Sequence, residues 1–272
     1  MKVAVKLGYV GQGYYGYQRQ PDKLTVEGCV IQALRDCGLM LDPRKSEFAS
    51  AARTDRGVSA LGQVIAFRPL EPARAIVKRL NSKLPSDIFA WAWAEADDSF
   101  NSRTHARSKT YVYLFDKPDV DDSVLESVSR LFVGEHDFAQ FCRPSERATI
   151  RSIDEIRVEK GQPIRVYFRA KGFLWTQVRK IISAMELAAS GELAEREVRD
   201  ALAGRARLAL APARAENLIL WRIEYPDASF RVEADSLLRA KEFLEQSART
   251  LELGIALRRT LLEGMARGAP VA

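Results

Sequence analysis

Segments with a two-residue hydrophobic period alternate with segments of helical period along most of this chain, which restricts it to folds that layer helices against a sheet. Val3, Val5, Leu7 and Tyr9 mark a first half-buried strand. Thr25 is placed to cap a helix reaching about Cys37, with Val26, Val30, Leu34 and Cys37 on one face. Pro72 opens another helix carrying Ile76, Val77 and Leu80, and a strand runs from Ile88 to Ala94.

The second half repeats the order more loosely. A strand from Tyr111 to Phe115 precedes a helix capped by Asp121 and Asp122 and bearing Val124, Val128, Leu131 and Phe132. Ile164 to Ala170 reads as a strand with Arg165, Arg169 and Lys171 among its alternate positions. A helix from about Leu174 to Ala189 carries Val178, Ile181, Ile182 and Met185 and stops at Gly191. Glu195 to Ala203 and Leu218 to Tyr225 read as a last helix and strand.

No Pro/Gly/Ser-rich linker separates the halves, so two lobes sharing one interface are expected, residues 1–102 and 103–228, with a cleft between them for a substrate. Residues 229–272 form a separate extension. There, Leu237, Leu244, Leu251, Ile255 and Leu262 recur at helical spacing among many charges, as expected of amphipathic helix packed on the body or on a second subunit.

Composition narrows the chemistry. Three cysteines (Cys29, Cys37 and Cys142) without a CxxC pair argue against a disulfide framework and a structural zinc site. Two histidines, His105 and His136, are too few for a multi-histidine metal centre. No run approaches the ~18 apolar residues of a membrane span, and the opening MKVAVKLGYVG reads as a strand rather than a signal peptide. A reducing, cytoplasmic setting is therefore expected. The net charge of +6 and pI of about 9.3 are compatible with a polyanionic partner without identifying one.

Gly11-Gln-Gly13-Tyr-Tyr-Gly16 matches the GxGxxG pattern after a strand. A dinucleotide site needs the third glycine to lead straight into a helix. Here Tyr17-Gln-Arg19-Gln-Pro21 follows, which continues a loop, so the sequence argues against a nicotinamide-dependent oxidoreductase. The loop's tyrosines and Arg19 are free to meet RNA instead.

The most informative stretch is Ala51-Ala-Arg-Thr-Asp-Arg-Gly-Val-Ser-Ala60. One carboxylate, Asp55, lies between Arg53 and Arg56, and Gly57 permits a tight turn. Flanking cations favour the charged form of a carboxylate, which suits a nucleophile better than a proton donor. The same residues would also make a plain surface turn with weak salt bridges. Taken alone they leave both readings standing.

Arg53-Thr-Asp-x-Gly-Val-x-Ala60 resembles the active-site motif of TruA-like tRNA pseudouridine synthases. Further blocks are similar to that family in the same order: Tyr9 to Gln20, Phe100 to Tyr113, Gly134 to Phe138, Gly172 to Ile182, and Ala211-Pro-Ala with Leu218 to Pro226. The resemblance stops before the C-terminal extension. Ala52, Arg56, Ser59, Tyr17 and Lys180 stand where the family usually has Gly, Ala, His, Trp and Asn.

The resemblance implies an α/β (α+β) fold in which two similar lobes share a mixed, mainly antiparallel central sheet flanked by helices. It implies that uridines in the anticodon stem-loop of tRNA are isomerised to pseudouridine without cofactor or metal, by a homodimer. Asp55 corresponds to the nucleophile, Tyr111 to the aromatic that stacks on the uracil, and Arg179 to the basic partner of the aspartate. Arg53 corresponds to the residue that fills the space left by a flipped base, and Arg19 lies in the RNA-facing loop. By residues alone, Tyr111 reads as a core aromatic on an alternating strand, the commoner fate of a strand tyrosine, and Arg179 as a solvated helix arginine. Arg103, His105, Arg107 and Lys109 read either as phosphate contacts or as the solvent face of a strand. A non-catalytic RNA-binding module on the same fold is the competing function; it would not need Asp55.

Overall fold

The computed structural model describes residues 1–71, 75–115 and 122–266. Pro72 and Asp121, read above as a helix opener and a cap, lie outside them. The strands are β1 (Lys2–Tyr9), β2 (Ala49–Ser50), β3 (Ser59–Phe67), β4 (Ile88–Ala96), β5 (Ser108–Phe115), β6 (Gly134–Asp137), β7 (Ile150–Ile153), β8 (Glu155–Glu159), β9 (Ile164–Ala170), β10 (Leu218–Glu224) and β11 (Arg231–Val232). The helices are α1 (Val26–Asp36), α2 (Ile76–Asn81), α3 (Asp122–Arg130), α4 (Gln177–Ala189), α5 (Glu195–Leu202) and α6 (Ala234–Ala266).

The architecture is mixed α+β. A nine-stranded sheet runs in the order β11-β4-β1-β3-β10-β5-β9-β8, with β2 on the side of β3. Its pairings are antiparallel except where β10 lies parallel to β3, with Ile219 opposite Ser59 and Leu220 opposite Ala60. That single parallel junction brings strands from the first half of the chain against strands from the second. β6 and β7 form a separate two-stranded ribbon.

Local chemistry explains most of the elements. Thr25 caps α1, its Oγ1 accepting from the Gly28 amide at 3.3 Å, and Val26, Val30 and Leu34 are buried as the spacing predicts. The half-buried expectation for β1 needs correction, because both its faces are covered. β1 lies between β3 and β4, and Ala4 is as buried as Val3 and Val5. Even Lys2 is 6% exposed; its Nζ donates to the Phe100 carbonyl at 3.1 Å and pairs with Glu47 at 2.9 Å.

β3 is a central strand that the periodicity does not announce. Gly62 and Gln63 interrupt its apolar run, yet Gln63 is fully buried. Its side-chain amide accepts from the Ala52 N–H at 3.2 Å and donates to the Ala52 carbonyl at 2.7 Å. A buried amide with both ends paired carries little desolvation penalty.

The glycine run is not a helix N-terminus. Gly11–Gly13 forms one short 3-10 turn, and α1 begins only at Val26. The run lies directly on the loop before β3: a Cβ on Gly11 would sit 2.1 Å from the Val58 carbonyl oxygen. Only glycine lets the two backbones approach so closely.

The C-terminal segment returns to the first half of the chain. β11 pairs with β4, the Glu233 amide donates to the Trp91 carbonyl at 2.9 Å, and the Trp93 indole donates to Glu233 Oε1 at 3.1 Å. α6 then packs on β4 and α2 and buries Ala240. From there it runs on as one helix with apolar side chains facing outward. Leu251, Leu253, Ile255, Leu257, Leu261 and Leu262 are each more than half exposed.

Gly11→Ala is expected to destabilise the protein by roughly 1–3 kcal/mol, since the clash is with backbone that must move. Gly13→Ala, whose Cβ would meet nothing within 4 Å, is expected to change stability by less than about 0.5 kcal/mol. Urea unfolding of both variants against wild type checks the difference.

Candidate active site

Asp55 lies in the turn between β2 and β3, which is held from several directions. Gly57, at φ +88°, reverses the chain, and the Val58 amide donates back to the Asp55 carbonyl at 3.2 Å. The Tyr17 amide donates to the Thr54 carbonyl at 3.0 Å. The hydroxyls of Tyr9 and Thr54 share a buried hydrogen bond of 2.8 Å, and the Gly11 amide donates to Ser59 Oγ at 3.0 Å. On the other side, Lys109 Nζ donates to the Ala51 carbonyl at 2.6 Å. The turn is thus framed by β1, the glycine run and the start of β5.

Arg179 sits in the first turn of α4 and reaches this turn from the second half of the chain. Its Nε donates to the Ala213 carbonyl at 2.7 Å and its Nη1 to Asp55 Oδ2 at 2.7 Å. The Arg179 carbonyl in turn accepts from the Ala213 amide at 3.1 Å. The side chains of Asp55 and Arg179 are 25% and 18% exposed, so the pair is sheltered but open on one side. Asp55 Oδ1 accepts a second donor, the indole N–H of Trp175, at 3.0 Å.

Tyr111 projects from β5, opposite Phe168 on β9 and Leu220 on β10. It is 9% exposed and meets the Phe173 ring edge-on at 5.4 Å. Burial pushes its phenol well above the usual value, and the charges of Tyr9 and Asp55 push it the same way. The hydroxyl therefore stays protonated at neutral pH.

Among the residues expected from the sequence, the structure joins Asp55 to Arg179 directly and sets Tyr111 within electrostatic reach of Asp55. Arg53 is exposed beside them. Arg19 is occupied elsewhere: its backbone N–H and Nε both donate to Glu27 Oε2, at 3.0 and 3.2 Å, in the first turn of α1. The alternation of Arg103, His105, Arg107 and Lys109 is not one strand face. The first three precede β5, which starts at Ser108, and are exposed, whereas Lys109 turns inward to Ala51.

Trp175 is the functional neighbour that the sequence reading leaves unassigned. It stands within the Gly172–Ile182 block, but nothing in the spacing says that its indole reaches Asp55, 120 positions away. The departures from the family pattern fit their places. Ser59 receives the Gly11 amide, Tyr17 is buried with its hydroxyl on Ser50 Oγ at 2.7 Å, and the Arg56 guanidinium lies 4.4 Å above the Tyr15 ring. Among the described residues no three His, Cys, Asp or Glu side chains gather in a way that could hold a metal ion.

Comparison with known proteins gives the family. A family model described as tRNA pseudouridine synthase matches residues 128–226. A curated protein from Thermococcus sibiricus, tRNA pseudouridine synthase A, is 41% identical over 90% of this chain and 93% of its own length. Its counterpart from Pyrococcus furiosus is 38% identical over 90% and 92%. Among solved structures, a pseudouridylate synthase aligns over 89% of this chain and 74% of its own, at 11% identity and a TM-score of 0.40, too loose an overlap to add weight. The chain belongs to the tRNA pseudouridine synthase A family, whose members are isomerases. Among the described residues no helix is long and apolar enough to cross a membrane.

Lys109 gives this site a measurable signature. Burial first, and Arg103 second, lower its ammonium from 10.5 to about 8. Between those values the unfolded chain keeps a proton that the folded protein has shed, so stability rises with pH in that window, by at most about 1.4 kcal/mol per unit. Below about pH 8 both states are protonated and the slope vanishes. In Lys109→Met this rising limb is expected to disappear, leaving a wild-type-minus-variant difference in unfolding free energy that grows from about pH 8 towards pH 10. Urea denaturation across that range reads it directly.

Proposed function

We propose that this protein isomerises uridine to pseudouridine in the anticodon stem-loop of tRNA, with Asp55 as the nucleophile, and that it acts as a cytoplasmic homodimer. The observation that carries the reading is the Asp55–Arg179 pair, a single carboxylate fixed by a guanidinium at 2.7 Å and still accessible from one side. An isomerisation moves the glycosidic bond from N1 to C5 of the uracil with no net change in atoms or electrons, so a carboxylate and an ordered pocket suffice chemically.

Each residue then has a defined task. Arg179 is itself held by the Ala213 carbonyl, so it presents a fixed positive charge to Oδ2 and aims the carboxylate. Tyr111, protonated and edge-packed on Phe173, offers a ring against which uracil can stack and a hydroxyl that can donate. A uridine taken from a stem must leave its stack at a cost of a few kcal/mol. Arg53, exposed two residues from Asp55, is the side chain that fills the vacated space. Arg19, tethered to Glu27 away from Asp55, is left to contact RNA through its loop and takes no part in the reaction.

Support for a homodimer comes from α6. Its last turns carry Leu251, Ile255 and Leu262 at coiled-coil spacing in open solvent. Apolar surface of this extent marks an association face, and a second copy of the same helix presents a matching one.

Tritium released from tRNA transcripts labelled at uridine C5 tests the chemistry. Wild type is expected to release it from anticodon stem-loop positions, and Asp55→Ala to release none while still binding the RNA. Equal release by both proteins would assign the reaction to another group. For assembly, sedimentation equilibrium is expected to give twice the 30.5 kDa chain mass for wild type, and the monomer mass for a Leu251→Glu, Ile255→Glu double variant.

A further inference from the structure

The surroundings of Asp55 contain one side chain that the reaction scheme above does not use. Trp175 is 49% exposed, a costly position for the largest apolar side chain. It is nevertheless fixed from three directions. Its indole N–H donates to Asp55 Oδ1 at 3.0 Å, its backbone N–H donates to Glu146 Oε1 at 3.3 Å, and its carbonyl accepts from the Arg143 amide at 3.0 Å. The guanidinium of Arg143 lies 3.7 Å from the centre of the indole ring. The next residue, Thr176, is held at φ +65°, a conformation that costs free energy unless the surroundings impose it.

A tryptophan set on edge beside the catalytic carboxylate, with a guanidinium stacked on it and half its surface open, is built to receive a flat ligand. A nucleobase has a π-face of matching size, whichever base it is, and the phosphates that come with it favour the nearby cation. The Tyr15 ring repeats the construction next to Asp55. It is 41% exposed, with the Arg56 guanidinium at 4.4 Å and Lys23 Nζ at 4.8 Å. Two exposed aromatics, each paired with a cation, are the pattern expected of a surface that binds RNA with its bases splayed.

We infer that Trp175, backed by Arg143, is a stacking platform for the nucleobase directly adjacent to the target uridine. The inference rests on the synthase reading for the position of the target, but its readout is binding. The indole N–H contact ties the platform to Asp55, so the distance between the stacked neighbour and the nucleophile is set by the protein. That makes the neighbouring base a ruler for placing the uridine.

The test uses a fluorescein-labelled anticodon stem-loop RNA and the Asp55→Asn protein, which keeps an acceptor for the indole while preventing turnover. Two further RNAs carry an abasic nucleotide on the 5′ or the 3′ side of the target uridine. Adding Trp175→Ala is expected to weaken binding of the intact RNA about tenfold or more, the range of one lost base–aromatic stack, while Trp175→Phe stays within about threefold. The Trp175→Ala penalty is expected to vanish on one of the two abasic RNAs. Unchanged affinity of Trp175→Ala would overturn the proposal, as would a penalty that persists on both abasic RNAs. So would a Trp175→Phe loss equal to that of Trp175→Ala, since the N–H and not the ring would then matter. Tritium release by the unmutated protein tests the synthase reading separately: without release the placement beside a target uridine falls with that reading, and with release the affinities alone decide the stacking inference.

Discussion

A 2.7 Å ion pair joins Asp55, in the turn before β3, to Arg179 on α4, and so ties together the two halves of the chain whose strands meet at the parallel β3–β10 junction. Much of the architecture can be read as support for that contact. Taking both charges partly out of water costs free energy, and their attraction repays it only when the geometry is good and the remaining hydrogen-bonding groups are satisfied. Here Arg179 spends its second direction on the Ala213 carbonyl, and Asp55 Oδ1 takes the Trp175 indole. Removing either partner leaves a sheltered charge without its counterion, which is why the pair holds α4 and the β2–β3 turn in one relative position.

The turn itself is rigid because backbone groups, more than side chains, frame it. The glycine run that imitates a dinucleotide fingerprint has its physical meaning here. Gly11 brings its backbone against Val58 and donates its own amide to Ser59 Oγ, and the Tyr17 amide just past the run reaches the Thr54 carbonyl. Gln63 clamps the strand entering the turn, and Lys109 holds Ala51 from β5. The nucleophile role proposed for Asp55 requires placement to a fraction of an ångström. A turn bonded to three separate elements meets that requirement better than a free surface loop.

The exposed features are arranged around this rigid centre. Trp175 and Tyr15 present rings with cations beside them, and Arg53 stands free between them in sequence. None of these belongs to the buried core, and the Trp175 and Tyr15 rings are held by contacts to the turn or to their neighbours. The extended α6 is a different case: its first turns rest on β4 and α2 and bury Ala240, and its last turns face solvent with their leucines.

The layering of helices on a sheet, the helices, the strands β1, β4, β5, β9 and β10, and the carboxylate in an arginine-flanked turn were legible in the sequence, because these depend on periodicity, capping and local charge. Thr25 capping α1, with Val26, Val30 and Leu34 beneath it, is local chemistry and was legible. β3 was not, since Gly62 and Gln63 break its pattern and only the Ala52 backbone, folded alongside, gives that glutamine its partners. The inward turn of Lys109, the tethering of Arg19 to Glu27 and the reach of Trp175 to Asp55 were likewise decided by tertiary structure. Each joins residues through space, and a chain's local preferences carry no information about which distant group will arrive to accept a proton or share a charge.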